Sequence, residues 1–418
     1  MTYSLNFLTK EQVAYIAENY KTPIYVYSEK KLKEAVMAFD TFPSAFGHTT
    51  RYAMKANSNL NILTYFRKNG FKIDASSEYE VKRAIASGFE GKDISLSGQE
   101  LSEDFEGILD TGVFFVATSL LQLETFGKKR PGGILGVRIN PGVGKTYFAK
   151  VLTGGLTSSF GIWYEYIPQI QEIAKKYDLK ITKIHLHIGS ENTPESWVNT
   201  ANIGLDFIKE FKDATILDMG GGMKKAIMPY EKSADLQAIG EAVKEKFIKF
   251  YEETGRKIHL ELEPGKYAVI CAGSFIAKVN DIVDTGKDGY TFVRTNTGMT
   301  DMPRVTMYGI QQQIIAPLVQ EQEEKDYVVV GHCCESGDIL TSKLYDQEIV
   351  EPMKLPKLSL GDILVFECTG AYNSSMSMKN YNSFPESAEL LIKENEEIVE
   401  IRKKEELQEI WRNEKVVL

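Results

Sequence analysis

The residues that could do chemistry in this chain stand at the ends of apolar runs. Lys55 closes the run Tyr52-Ala53-Met54-Lys55-Ala56-Asn57, and His187 sits in His187-Ile188-Gly189-Ser190. Gly220, Gly221 and Gly222 form a triple glycine, and Glu263 opens Glu263-Pro264-Gly265-Lys266. A lysine held near an apolar wall loses hydration, which disfavours its cation and frees the amine as a nucleophile. Three successive glycines let backbone N–H groups approach an anion closely, which is the geometry of a phosphate cradle. Taken singly, each residue has a plain structural reading: a strand-end lysine reaching solvent, a flexible turn, a packed imidazole. The combination has a chemical one. An amine for an aldehyde, a glycine cradle for a phosphate, an imidazole to stack on a ring and a carboxylate for a pyridine nitrogen together match pyridoxal 5′-phosphate.

Residues placed this way need elements that bring strand ends together. Short apolar or β-branched runs recur at 50–56, 72–76, 94–98, 113–119, 134–140, 181–190, 216–222 and 258–265. Between them, 77–87, 167–177 and 236–253 carry apolar residues at helical spacing. Eight strands alternating with helices are the number that closes a (β/α)8 barrel, whose chemistry stands at the C-terminal ends of its strands. An open doubly wound sheet is the competing arrangement. Past about residue 272 the pattern changes to strand-like runs at 274–283, 290–295, 327–331 and 363–368, with turns such as Gly286-Lys287-Asp288-Gly289 and little helix. The fold class is therefore α/β: a barrel over 28–272, followed by a β-barrel or β-sandwich domain that combines 273–418 with 1–27.

Composition removes several alternatives. The 418 residues include 43% hydrophobic and 26% charged residues, an ordinary mix for a chain that buries a large core. Net charge is −9, the wrong sign for a partner bound through its phosphate backbone, so nucleic acid is excluded as a partner. Apolar runs such as 134–137 and 328–330 are far below the ~20 residues of a membrane span, and residues 1–10 show no secretory signal pattern. A cytoplasmic protein is expected. Cys271, Cys333, Cys334 and Cys368 do not make a disulfide framework, and no Cys-x-x-Cys pair is present. His185 and His187 share one face of a strand at i, i+2 but have no third ligand nearby, so no metal is assigned.

With these motifs in order, the sequence resembles the fold-type III pyridoxal-phosphate decarboxylases and, among them, the diaminopimelate decarboxylases. The resemblance runs from about residue 23 to 411. It is carried by 52–57, 140–144, 160–164, 185–190, 263–265, 298–308, 334–338, 370–375 and 381–383. It implies that Lys55 bonds the cofactor aldehyde and that His187 stacks on the ring. Ser190, Gly220, Gly221, Gly222 and Tyr372 then hold the phosphate, and Glu263 pairs with the ring nitrogen, with Asp74 and Gly265 also on the cofactor side. It further implies that Cys334 and Glu335 enter the active site from the second subunit of a homodimer, with Cys334 as proton donor and His187 as a further catalytic residue. Lys266, Arg304, Tyr308, Glu335 and Tyr372 would contact an amino-acid substrate.

The expected reaction is conversion of meso-2,6-diaminopimelate to L-lysine and CO2. Alternatives are a sister decarboxylase acting on an amino acid with another polar or carrier-linked distal group, a non-catalytic regulatory homologue, and a racemase. Two positions depart from the family pattern. Lys266 replaces the arginine of Glu-Pro-Gly-Arg, and Phe384 replaces the arginine of Tyr-Asn-Ser-Arg-Pro. Ser158-Ser159-Phe160-Gly161 also lacks the basic residue that precedes the glycine in the family.

Overall fold

The computed structural model describes residues 4–143, 155–187, 189 and 192–418. The backbone divides into two compact units, one of residues 35–225 and 232–268, the other of residues 1–34, 226–231 and 269–418.

The first unit is a closed ring of eight parallel strands. His48–Ala53, Lys72–Ala75, Ile94–Leu96, Phe114–Ala117, Ile134–Asn140, Lys180–His185, Ile216–Asp218 and His259–Leu262 pair in chain order, and the last pairs with the first. The eight runs read from sequence are these strands. The structure ends several of them earlier, because the residues beyond Ala53, His185, Asp218 and Leu262 leave the ladder as loops or turns. Lys55 thus lies in a 3-10 turn, Met54–Ala56, and His187 lies past its strand, so His185 and His187 do not share one strand face. A two-residue strand, Ile162–Trp163, also pairs with Ile134–Asn140 and is too short for any periodicity to reveal.

The helices start and stop where the sequence caps them. Ser77 accepts a hydrogen bond from the Glu80 N–H at the start of Glu78–Ala86, with two glutamates in the first turn. Asp235 caps Leu236–Thr254, whose buried Leu236, Ile239, Gly240, Val243, Phe247 and Phe250 repeat at three-to-four spacing, and Gly255 ends it at φ 70°.

Alternation puts every second strand residue inside the ring, and here the inside is charged. Arg51 holds Glu261 through two hydrogen bonds of 2.8 Å. Lys183, fully buried, pairs with Glu261, lies 3.5 Å from Asp218 and donates to the Ser95 hydroxyl at 3.2 Å. Burial pushes the Glu261 carboxyl up, but Lys183 and Arg51 outweigh it and hold the group below the usual carboxylate range.

In the second unit Ile24–Ser28, buried along its whole length, is the central strand. It runs antiparallel to Gly273–Asp284 and parallel to Ala388–Ile392. The sheet continues through Thr291–Thr295, Glu324–Val330 and Met353–Pro356 on one side and through Ile398–Arg402 on the other; Ile363–Phe366 also pairs with Gly273–Asp284. Val13 and Ile16 of the helix Lys10–Asn19 pack on Ile24, Val26, Ile276, Val365 and Leu390.

One expectation is corrected here. Cys271 and Cys368, 97 residues apart, are joined in a disulfide. Spacing gives no sign of it. The pairing of Phe275 with Phe366 on adjacent antiparallel strands brings the two cysteines together just beyond the strand ends. Cys333 and Cys334 are free thiols. Among the described residues, no helix is long and apolar enough to cross a membrane.

The Arg51–Glu261–Lys183 group makes a stability prediction. Glu261→Gln leaves two buried cations without their shared anion and should cost about 3–5 kcal/mol in urea unfolding of the cofactor-free protein. Because the Glu261 carboxyl is held below its unfolded value, this contribution is complete above the ordinary carboxylate range and fades as pH falls through the lowered native one. A Glu261→Gln protein as stable as the parent at neutral pH would remove the network from any account of the fold.

Candidate active site

The barrel brings Lys55, Asp74, His187, the three glycines and Glu263 to the C-terminal ends of four adjacent strands and the strand following them, as a functional mouth requires. The loop after Asp218 is built tightly. Its Gly220 N–H donates to Asp218 Oδ1 at 3.0 Å, and the Glu263 N–H donates to the Gly220 carbonyl at 2.8 Å. Gly220 has φ +68°, and a Cβ on Gly221 would lie 2.2 Å from the Glu263 carbonyl oxygen, so no other residue type fits there. Glycine is required by the fold of this turn, and the same bareness lets an anion approach its backbone closely.

Glu263 is buried, with Oε2 3.3 Å from His185 Nε2 and with Oε1 lacking a hydrogen-bond partner among the described residues. Burial and the neighbouring Asp218 carboxylate raise its carboxyl well above the usual range, against the pull of Lys55 and Lys183. Burial, with Glu263 adding to it, pushes Asp74 up to about 6, and the Ser97 hydroxyl donates to Asp74 Oδ1 at 3.2 Å. Burial also lowers His185 to about 4. His187 falls well below its ordinary value through burial and then the positive charge of Arg138 and Lys55, so its ring is neutral. A neutral imidazole suits stacking on an electron-poor ring.

These features fit the cofactor that the sequence suggests. A buried carboxylate oxygen and the buried His187 Nδ1 await partners, and the glycine turn admits a phosphate. Ser190 lies outside the described residues. His185, Asp218 and Glu263 place ligand atoms within 4.8 Å of one another, close enough for a metal ion. Asp218 already faces Lys183 and the Gly220 N–H, however, and that arrangement serves a ring N–H at Glu263 better than a cation. Sequence reading missed Arg51, Arg138, Lys183 and Asp218, and weighed His185 only as a metal ligand. Their signal was available as polar residues at alternate positions of strands that otherwise read as apolar.

The residues expected at the substrate lie in the second unit. Arg304 and Tyr308 stand one turn apart on the short helix Pro303–Tyr308, in a region where the sequence showed little helix. Arg304 is buried, its guanidinium lies 5.7 Å from the ring centroid of Tyr372, and its Nη1 has no partner among the described residues. Tyr372 is held at φ 56° in the turn after Gly370, whose N–H donates to the Ile270 carbonyl.

Cys334 and Glu335 are exposed, and their loop is fastened by the 381–384 segment. The Cys334 N–H donates to Asn382 Oδ1 at 2.8 Å, and the Tyr381 hydroxyl donates to Glu335 Oε2 at 3.3 Å. The Gly337 N–H, and then Tyr381, keep the Glu335 carboxyl below its ordinary range. Phe384 stacks flat on His332, with centroids 3.5 Å apart and planes 4° from parallel, and His332 Nε2 lies 2.8 Å from the Thr300 hydroxyl. Where the family pattern has an arginine, this chain therefore has a packed ring that supports the residues leading into Cys334. Lys266 begins the short helix Lys266–Val269 beyond Glu263, and Gly265 before it is buried.

Residues 30–270 match the model of the pyridoxal-dependent decarboxylase family's pyridoxal binding domain. The chain is 34% identical to the diaminopimelate decarboxylase of Buchnera aphidicola subsp. Acyrthosiphon pisum, with 98% of each chain covered, and 30% identical to that of Escherichia coli K12, with 96% of each covered. A crystal structure of a diaminopimelate decarboxylase superposes with a TM-score of 0.90 at 28% identity, covering 98% of this chain and 97% of that one. The Helicobacter pylori diaminopimelate decarboxylase in complex with L-lysine superposes with a TM-score of 0.84 at 27% identity, covering 96% and 98%. A lysine, a glycine cradle, a neutral imidazole and a buried carboxylate at one barrel mouth, carried on a full-length match of this kind, belong to a known lineage: the chain is a member of the pyridoxal-dependent decarboxylase family, lyases that use pyridoxal phosphate.

Proposed function

We propose that this chain removes CO2 from meso-2,6-diaminopimelate to give L-lysine. Full-length similarity to diaminopimelate decarboxylases supports the reaction class, and one feature carries the choice of substrate: a buried Arg304 guanidinium with a vacant N–H. A buried guanidinium without an anion is costly, and a carboxylate at the far end of the substrate is the partner it lacks. The same group repels the bare cationic tail of ornithine or arginine.

Bound pyridoxal phosphate supplies the sink for the electron pair left on Cα when CO2 departs. The chain does the rest. Lys55 is the residue that would hold the cofactor through its aldehyde. His187 would lie against the ring face, while the turn of Gly220, Gly221 and Gly222, together with Ser190 and Tyr372, would hold the phosphate. Glu263 keeps a proton at the ring nitrogen, with Asp74 and Gly265 lining the same side. Arg304 takes the distal carboxylate, Glu335 the distal ammonium, and Tyr308, Tyr372 and Lys266 fix the substrate's orientation. Cys334 returns a proton to Cα, a role that needs only a well-placed S–H.

We assign the cofactor module to 28–272, and substrate and subunit contacts to 1–27 with 273–418. Cys334 and Glu335, exposed in the single chain and fastened to their own unit, complete the site of a partner copy in a homodimer. We place the reaction in the cytoplasm.

Lys55→Ala should abolish both the visible absorbance of the lysine-bound cofactor and CO2 release from diaminopimelate; turnover surviving that change would refute the mechanism. A panel of amino acids assayed for CO2, with chiral analysis of the product, separates this reading from a sister decarboxylase whose pocket is reshaped by Lys266 and Phe384, and from a racemase. Complementation tests the shared site. Lys55→Ala and Cys334→Ala chains, each inactive alone, should recover about a quarter of parental activity after subunit exchange, since half the dimers are mixed and each mixed dimer holds one intact site. Mixtures that stay inactive, with exchange verified by mass, would place Cys334 in its own chain's site.

A further inference from the structure

The buried charges of the barrel unit do not balance, and the imbalance sits at Glu263. Among the described residues, the buried ionisable groups of this unit are Arg51, Arg138 and Lys183 against Asp74, Asp218, Glu261 and Glu263, with His185 beside them. Glu261 is engaged by Arg51 and Lys183. Asp74 accepts from Ser97 and feels the Lys55 cation. Asp218 uses Oδ1 on the Gly220 N–H, and its Oδ2 lies 3.5 Å from Lys183, outside hydrogen-bond geometry. Glu263 turns Oε2 towards His185 and leaves Oε1 bare. Two buried acceptor oxygens therefore lack donors among the described residues, on neighbouring carboxylates that bring an oxygen of each within 4.8 Å of the other. Bare buried acceptors are expensive, and one proton between two carboxylates relieves both.

We infer that Asp218 and Glu263 hold one shared proton in the cofactor-free protein, and that Asp218 is a positioning residue tying the two ends of the cofactor site together. One of its oxygens sets the glycine turn and the other sets the protonation of Glu263. The groups facing Glu263 from the surrounding strands and turns are Asp218, His185, Asp74, Lys55, Lys183, Arg51 and Arg138, so the shared proton is balanced by fixed charge on every side. A ligand that brings its own ring N–H cation replaces that proton at Glu263. The inference rests on the cofactor assignment above and concerns a state that exists without cofactor.

The test uses the cofactor-free full chain at neutral pH. If one proton is shared, Asp218→Asn and Glu263→Gln each remove a carboxyl and also the reason for the proton, so electrophoretic mobility stays that of the parent. The exposed control Glu414→Gln shifts it by one charge. A one-charge shift for Asp218→Asn or Glu263→Gln overturns the shared proton, and either variant suffices should the other fail to fold. For positioning, the probe is pyridoxamine 5′-phosphate, which forms no bond with Lys55. Asp218→Asn keeps an acceptor for the Gly220 N–H and should bind it within about threefold of the parent, whereas Asp218→Ala should weaken binding about tenfold or more. Parental affinity in Asp218→Ala overturns the positioning role. Failure of the parent itself to bind the probe would instead count against the cofactor assignment, so the two failures are distinguishable.

Discussion

Everything at the barrel mouth depends on a salt bridge inside the ring. Arg51, Glu261 and Lys183 sit in the interior of a parallel sheet that would otherwise be filled by branched apolar side chains. Burying ions in this way seldom improves stability over a well-packed apolar core, because desolvation offsets most of the attraction. What it provides is placement. Lys183 bonds Glu261 and also approaches Asp218, Asp218 holds the Gly220 N–H, and Gly220 accepts from the Glu263 N–H. The charge at the floor is thereby linked, through an ion contact at Asp218 and the hydrogen bonds beyond it, to the glycine turn and to Glu263.

That chain of contacts explains why the site needs so little flexible machinery on the cofactor side. Lys55 is set by a 3-10 turn directly off the strand His48–Ala53, whose Ala53 N–H is bound by the Pro264 carbonyl next to Glu263. The elements carrying Lys55 and Glu263 are thus tied to one another through backbone. The electrostatics follow from the same packing. Burial, with neighbouring carboxylates adding to it, raises Glu263 and Asp74, while burial and nearby cations lower both histidines. Neutral imidazole and protonatable carboxyl are the states that an electron-withdrawing ring requires of its neighbours.

Much of this was legible in the sequence, and the boundary of legibility has a physical cause. Strands such as 113–119 and 134–140 announce themselves because burial on both faces demands largely apolar character, and their ends announce chemistry because the polar residues there match one cofactor when taken together. Lys183 and Asp218 were overlooked for the converse reason. A single charge inside an apolar run looks like noise until the partner strand is known, and Lys183 meets Glu261 only through a register spanning some eighty residues. The Cys271–Cys368 bond and the helix Pro303–Tyr308 escaped for similar reasons: the first is a product of strand pairing, and the second is barely longer than a turn. The resemblance to a family supplied roles for Arg304 and Cys334 that spacing alone left ambiguous, and the buried, partly unpartnered guanidinium now gives Arg304 a physical reason of its own.

The two departures from the family pattern are of different kinds. An arginine replaced by Phe384 removes a charge from the segment that fastens Cys334, and the structure puts a flat stack on His332 in its place, backed by the Thr300 hydroxyl. His332 is lowered to about 4 by burial, so it stays neutral and the stack is apolar across the working range of pH. The segment leading into Cys334 is thus backed by packing, which salt does not screen. Lys266 is the opposite case, since it keeps the charge of an arginine and loses the fork that holds a carboxylate through two bonds. On the proposed reading, geometric selection among acidic substrates would then fall on Arg304, a buried guanidinium. In a chain of net charge −9 the field of the whole molecule does not draw in an anion, so recognition of an acidic substrate would rest on locally placed cations such as Arg304 and Lys266.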